Sequence, residues 1–158
     1  MNVKKHCGIF AALAACSFVA AAAGFAAENL RLRDGISYVN DLDKGFPIVA
    51  DKIEDVAIAS GRPTFLFFGA SGDLNTNRQA RRIIEVYKRY KSTDVKFVVI
   101  DVDHPSGAQA RQLIKQHYTG YIPCEVLFDK GGKQKWSQAG EVEIPTIVNQ
   151  LDKVLSAS

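Results

Sequence analysis

The residues able to do chemistry are few and scattered. After residue 30 the chain has one thiol, Cys124, and two histidines, His104 and His117. The stretch FFGASGDLNTNRQA, Phe67 to Ala80, adds Ser71, Asp73 and Asn75 where an apolar run gives way to a helical pattern. That is the position at which α/β folds usually place ligands and reactions. The stretch holds no cysteine, histidine or lysine. A lone thiol at Cys124 allows mixed-disulfide exchange with a partner, or metal binding with outside help. It equally fits a small buried hydrophobe, since free cysteine is among the most buried residue types, and no neighbouring residue supplies an obvious base or cation. One cysteine and two histidines form no metal-binding spacing, so neither a metal nor a cofactor is expected. No nucleophile elbow, phosphate-binding glycine loop or paired-carboxylate motif is present. At the helix start, Asn75 or Thr76 is the expected cap. Arg78, Arg81 and Arg82 in the first turns suit an anion, but also the ordinary wet face of an amphipathic helix, and Asp73 already occupies the positive end of the dipole.

The opening MNVKKHCGIFAALAACSFVAAAAGFAAEN sets Lys4 and Lys5 before an uncharged apolar run, the pattern of an export signal. Gly24 and Ala26 are small residues at the peptidase positions, so residues 1–26 read as a signal peptide. LAAC, Leu13 to Cys16, offers a second reading, a lipoprotein signal to residue 15 with Cys16 lipidated. An uncleaved anchor is the third, because about 20 apolar residues span a bilayer. All three put the domain outside the cytoplasm, periplasmic or on a membrane through a lipid or signal anchor. Removing Lys4 and Lys5 from the 20 basic residues leaves 18 against 17 acidic ones, so no nucleic-acid partner is expected. Cys124 then remains the one thiol of the folded domain, which excludes an internal disulfide.

The elements that must position these residues follow from pattern. ISYV, Ile36 to Val39, reads as a short strand bounded by turn residues. PIVADKIEDVAIASG reads as a helix, with Pro47 in its first turn and Gly61 at its stop. TFLFFGA, Thr64 to Ala70, is continuous bulk, the mark of a strand buried on both faces. Ala80, Ile83, Ile84 and Tyr87 then give an amphipathic helix. VKFVVIDV, Val95 to Val102, is the second buried strand, and GAQARQLIKQHY is the next helix. CEVLFDKGGKQKWSQAG is a hairpin turning at Asp129–Gly132, and a last amphipathic helix carries Ile144, Ile147, Leu151 and Val154. Strands alternating with helices, then a hairpin, predict an α/β domain: a mixed central sheet with helices on both faces. The boundaries are residues 27–46 for an N-terminal extension and 47–158 for the domain.

That order, with IASGRPTFLFFGA, VKFVVIDVD, YIPCEVLFDKGGK and the closing helix, resembles the thioredoxin-like family, a three-layer sandwich. The resemblance implies that Pro123 of YIPC is a cis-proline beside the redox position. It also implies two cysteines at the strand-to-helix turn, where this chain has Gly72 and Asn75, and a buried acid where it has Leu66. Dithiol exchange needs one thiolate to attack and a second to resolve. Neither is present. The expectation is therefore a non-catalytic binding module for a peptide or protein in the cell envelope, with a groove formed by Gly72, Asp73, Leu74, Asn75, Tyr121, Ile122 and Pro123. The alternative is a single-cysteine exchanger using Cys124.

Overall fold

The computed structural model describes residues 29–41, 45–51 and 56–157. Lys4, Lys5, Cys7 and Cys16 lie outside the described residues, so the leader readings stand as expectations. Among the described residues no helix is long and apolar enough to cross a membrane.

A short antiparallel pair, β1 (Arg31–Leu32) with β2 (Ile48–Val49), precedes the main domain. The domain then runs β3 (Thr64–Gly69), α1 (Leu74–Tyr90), β4 (Lys96–Asp101), α2 (Gly107–His117), β5 (Cys124–Phe128), β6 (Gln134–Ala139) and α3 (Ile144–Ser156). In the main sheet the order is β4-β3-β5-β6. β4 lies parallel to β3, while β5 and β6 are antiparallel to their neighbours. The sheet is mixed, as the pattern predicts.

Strand alternation divides the interior into two layers. Phe65 and Phe67 of β3, Phe97 of β4 and Leu127 of β5 face one side, where they meet Ala80, Ile83 and Ile84 of α1 and Ile147 and Leu151 of α3. Leu66, Phe68, Val98, Ile100, Cys124, Val126 and Phe128 face the other, where Ala110 and Leu113 of α2 cover them. Every residue of β3 is buried. Continuous bulk in TFLFFG thus has its physical cause: both faces of the strand are covered.

Two local expectations are corrected. Ile36–Val39 is irregular, not a strand. Nor does a helix run through 47–61: Ile48–Val49 pairs with Arg31–Leu32, residues 56–63 form no regular element, and residues 52–55 lie outside the described ones. The cause is tertiary. Ile48 gains more as a buried member of the α1/α3 layer than as one turn of a short isolated helix, whose nucleation is costly. The extension is therefore packed on the domain. Leu30 is buried with Ile48, and Asn29 N donates to the Tyr87 hydroxyl at 3.1 Å.

Where β3 ends, the backbone meets α1 closely. A Cβ on Gly69 would lie 2.4 Å from the Thr76 methyl and 3.3 Å from the Phe46 ring. Gly69→Ala should therefore lower stability by about 1–3 kcal/mol through overpacking, read by urea denaturation. A variant as stable as the parent would show that α1 can move away from β3.

Candidate functional site

The turn between β3 and α1 and the loop entering β5 lie at one end of the sheet, because Phe68 pairs with Cys124 across the two strands. The turn begins with Ser71 and Gly72, and Gly72 has φ +81°. That left-handed backbone suits glycine and disfavours side chains. Asp73, with extended backbone, is the N-cap of α1 and accepts from the Thr76 N–H. The cap is thus Asp73, not Asn75 or Thr76: the helix begins at Leu74, and the Asp73 carboxylate reaches the amide three residues on. Asn75 is exposed and accepts from Arg78. The Leu74 N–H is taken by the Asp41 carboxylate at 2.8 Å.

The arginines near this helix start are committed elsewhere. Arg78 and Arg82 both reach Glu141, at 2.8 and 2.6 Å, and Arg82 also pairs with Glu143 at 2.8 Å. Burial opposes it, yet hydrogen bonds from Arg82 and Arg78 hold the Glu141 carboxyl below its usual range. Arg81 lies over the Tyr38 ring at 5.3 Å. No free cationic cradle remains from these three, so the anion reading finds no support.

On the β5 side the Ile122–Pro123 peptide is cis. The Pro123 carbonyl accepts from Gly140 N at 2.8 Å. Among the described residues, the backbone groups of Tyr121 and Ile122 make no internal hydrogen bond. Tyr121 is 72% exposed, one of two large hydrophobic residues so placed among the described residues. The Gly72–Asn75 turn and the Tyr121–Pro123 loop lie at the same end of the sheet. The Tyr118 ring lies 5.7 Å from that of Phe68. Burial raises the Tyr118 pKa first, and the charges of Asp103, Cys124 and Asp73 add to it.

Cys124 is 1% exposed and faces the α2 layer opposite Phe68. Burial pushes the thiol up, and the neighbouring Glu125 adds to that, whereas a thiolate nucleophile needs the reverse. His104, an exposed loop residue, meets the Asp101 carboxylate at 3.2 Å, and Ser71 donates to the same oxygen. The histidine thus does not touch the serine, and the trio is no nucleophile–base pair. Among the described residues no cluster of three or more His, Cys, Asp or Glu side chains could hold a metal.

The sequence reading missed Glu125. It sits mid-sheet in the α1/α3 layer, paired across strands with Phe67, and is 0% exposed. Neither carboxyl oxygen has a hydrogen-bond partner. Gln79 lies close, but its amide group is used by Val142 in both directions, at 3.1 and 2.9 Å. Burial pushes the carboxyl up to about 8, against weak opposing pulls from Gln79, the Glu125 backbone and Arg82. The available signal was alternation: in CEVLF an acid one residue into a doubly covered strand has no wet face to occupy.

No protein-family model matches the chain, and no curated protein does. Among solved structures, thioredoxin-2 of the malaria parasite is 15% identical with a TM-score of 0.50, over 58% of this chain and 82% of that one. The fold is thioredoxin-like. Fasciola hepatica thioredoxin is 18% identical, TM-score 0.49, over 60% of this chain and 83% of its own. Arabidopsis thaliana thioredoxin O2 is 21% identical, TM-score 0.49, over 61% and 80%.

Two measurements probe the buried groups of this thioredoxin-like sheet. Below pH 4.5 Glu125 is protonated in both folded and unfolded chains and contributes no pH dependence. Between pH 4.5 and about 8 the unfolded chain has released a proton that the folded one keeps, so stability falls as pH rises, and above 8 the loss is complete. The full effect is roughly 5 kcal/mol. Glu125→Leu should remove that slope and leave the protein more stable than its parent at pH 8; an unchanged slope in chemical denaturation would place the proton elsewhere. Cys124 should react with a thiol reagent only when the chain is denatured, and insulin reduction should be at background in both parent and Cys124→Ser. Rapid native labelling would contradict the burial argument.

Proposed function

We propose that this chain is an exported, thioredoxin-like domain without dithiol oxidoreductase activity that binds an extended peptide or protein segment in the cell envelope. The carrying observation is the backbone of Tyr121 and Ile122. Among the described residues its donors and acceptors make no internal hydrogen bond, and it lies beside Pro123 at the end of the sheet that also carries the turn Gly72–Asn75, which holds no thiol. An incoming extended segment can satisfy those groups as an added strand would, while the exposed Tyr121 ring supplies a contact for its side chains.

The non-redox part of the reading has support beyond residue identity. By the family resemblance, Gly72 and Asn75 stand where the two cysteines belong, and Gly72 has φ +81°. A cysteine at Gly72 would meet a backbone strain of about 1–2 kcal/mol, which supports the non-redox reading. The helix amino terminus, which in a dithiol site favours a thiolate, here carries the carboxylates of Asp73 and Asp41. Cys124 offers the exchanger reading little, being buried with a raised pKa. The export part rests on reading the Lys4–Lys5 and apolar opening as a signal, with a soluble product if it is cleaved after Ala26 and a membrane-attached one if Cys16 is lipidated.

Panning a library of unstructured decapeptides on the domain tests the binding claim. Enriched peptides should bind at micromolar affinity and lose about tenfold with Tyr121→Ala, the loss expected from removing an aromatic anchor. Binders indifferent to Tyr121, or none, would rule out the groove.

A further inference from the structure

A second concave feature lies at the opposite end of β5 from the corner. Cys124 begins that strand and Phe128 ends it; past Phe128 the hairpin turn and the last turns of α3 enclose a cavity of about 470 Å³. Lys130 and Gly131 line it from the turn, Lys135 from β6, and Lys153, Val154 and Ala157 from α3 and its C-cap. Its walls are fixed by hydrogen bonds. Asp129 N donates to the Lys133 carbonyl at 2.9 Å, the Asp129 carboxylate accepts from Gly131 N and Lys133 N at 2.9 and 3.0 Å, and the Lys130 carbonyl accepts from Gly61 N at 2.9 Å. On the helix side, Ala157 N and the Ser156 hydroxyl both donate to the Lys153 carbonyl, at 3.2 and 3.1 Å.

From this we propose that the cavity binds a small organic anion: an apolar body with one carboxylate, sulfonate or phosphate head. Charge complementarity decides the head. Lysines from three separate elements line the cavity, and among the described residues none of the three is in an ion pair. Against them stands one acid of the lining, Asp129, whose carboxylate already serves the turn, so three lysines less one aspartate leave an excess of two positive charges. The carboxyl end of α3 opposes an anion with roughly half a charge, which that excess outweighs. The rest of the lining decides the body. Val154 is buried, Gly131 and Ala157 carry no polar side chain, and lysine stems are themselves apolar. With no arginine fork and no hydroxyl in the lining, an inorganic anion finds no directed grip. The Gln150 side-chain amide, which makes no hydrogen bond among the described residues, offers a neutral donor and acceptor. A cavity of this size, within the usual range for ligand pockets, admits one such molecule and excludes a bilayer surface. Lys135 on the edge strand β6 also discourages edge-to-edge pairing, but that task does not require Lys130 and Lys153 to line the same cavity.

The inference is independent of the peptide-binding reading. Anilinonaphthalene sulfonate, an aromatic body with one anionic head, is titrated into the full chain at low salt and followed by fluorescence, with uncharged phenylnaphthylamine as the control. The sulfonate should bind at micromolar affinity and the neutral analogue about tenfold more weakly. The exposed-site variant Lys130→Gln/Lys135→Gln/Lys153→Gln should keep its melt and lose about tenfold in affinity for the sulfonate, while Tyr121→Ala binds it as the parent does. Ala157→Trp, which fills the cavity and leaves the charges in place, should lower binding by a similar factor and serves if the triple variant does not fold. Decanoate below its micellar concentration should displace the probe, and phosphatidylglycerol vesicles should not. Equal binding of the charged and neutral probes, unchanged affinity in the folded lysine or tryptophan variant, or a loss with Tyr121→Ala overturns the site. Displacement by vesicles but not by decanoate overturns it in favour of a membrane-facing surface.

Discussion

Burial of β3 on both faces is the constraint from which the rest of the structure follows. Its six residues pair with β4 on one side and β5 on the other, and its alternating side chains supply Phe65 and Phe67 to one layer and Leu66 and Phe68 to the other. Removing one such phenylalanine costs about 3–5 kcal/mol, a large share of the stability of a domain this size. The same pairing sets the geometry of one corner of the sheet. Because Phe68 opposes Cys124 and Gly69 aligns with Asp101, the ends of three strands converge, and the turn into α1 has nowhere to sit except against the loop entering β5. The close approach of Gly69 to Thr76 then seats the start of α1 on that corner.

What was legible in the sequence follows the strength of this constraint. Thr64–Gly69 and Lys96–Asp101 were readable as unbroken apolar runs, and α1 and α3 by their 3.6-residue period, because each is decided by burial in a large core. Residues 36–39 and 47–61 were not. These are short segments at the rim, where a two-residue pairing between Arg31–Leu32 and Ile48–Val49 and the packing of a few side chains outweigh local periodicity. The cap was misplaced for a related reason: DLNT offers several polar residues in a row, and only the close approach at Gly69 decides that the helix starts right after Asp73. The resemblance supplied the groove residues only as an expectation, and the contact of Ser37, Tyr38 and Asp41 with α1 joins residues more than thirty apart and leaves no local pattern.

The corner's chemistry is a matter of which backbone groups are left open. The helix amino terminus, the Tyr121 and Ile122 amides that make no internal hydrogen bond among the described residues, and the exposed Tyr121 ring are the groups on which the proposed recognition rests. The two carboxylates at the start of α1 turn the dipole that would favour a thiolate into a means of fixing chain segments, one from the adjoining turn and one from the extension.

Glu125 and Cys124 show how far the sheet tolerates polar groups that serve no visible reaction. They are adjacent in sequence and therefore point into opposite layers. Each is fully desolvated, and a charge on either would meet apolar surroundings, so each is held in its neutral, protonated form, the thiol all the more because a carboxylate beside it would oppose its ionisation. Neither oxygen of that carboxyl has a partner within hydrogen-bond geometry, and the Gln79 side chain, whose amide bridges α1 to the Val142 backbone, offsets the effect of burial only in part. The arrangement places a cost under the α1/α3 contact that grows with pH, at the opposite face of the strand from the one thiol. The interior of the sheet therefore favours protonation, which is a further physical reason to regard Cys124 as packing rather than reactivity.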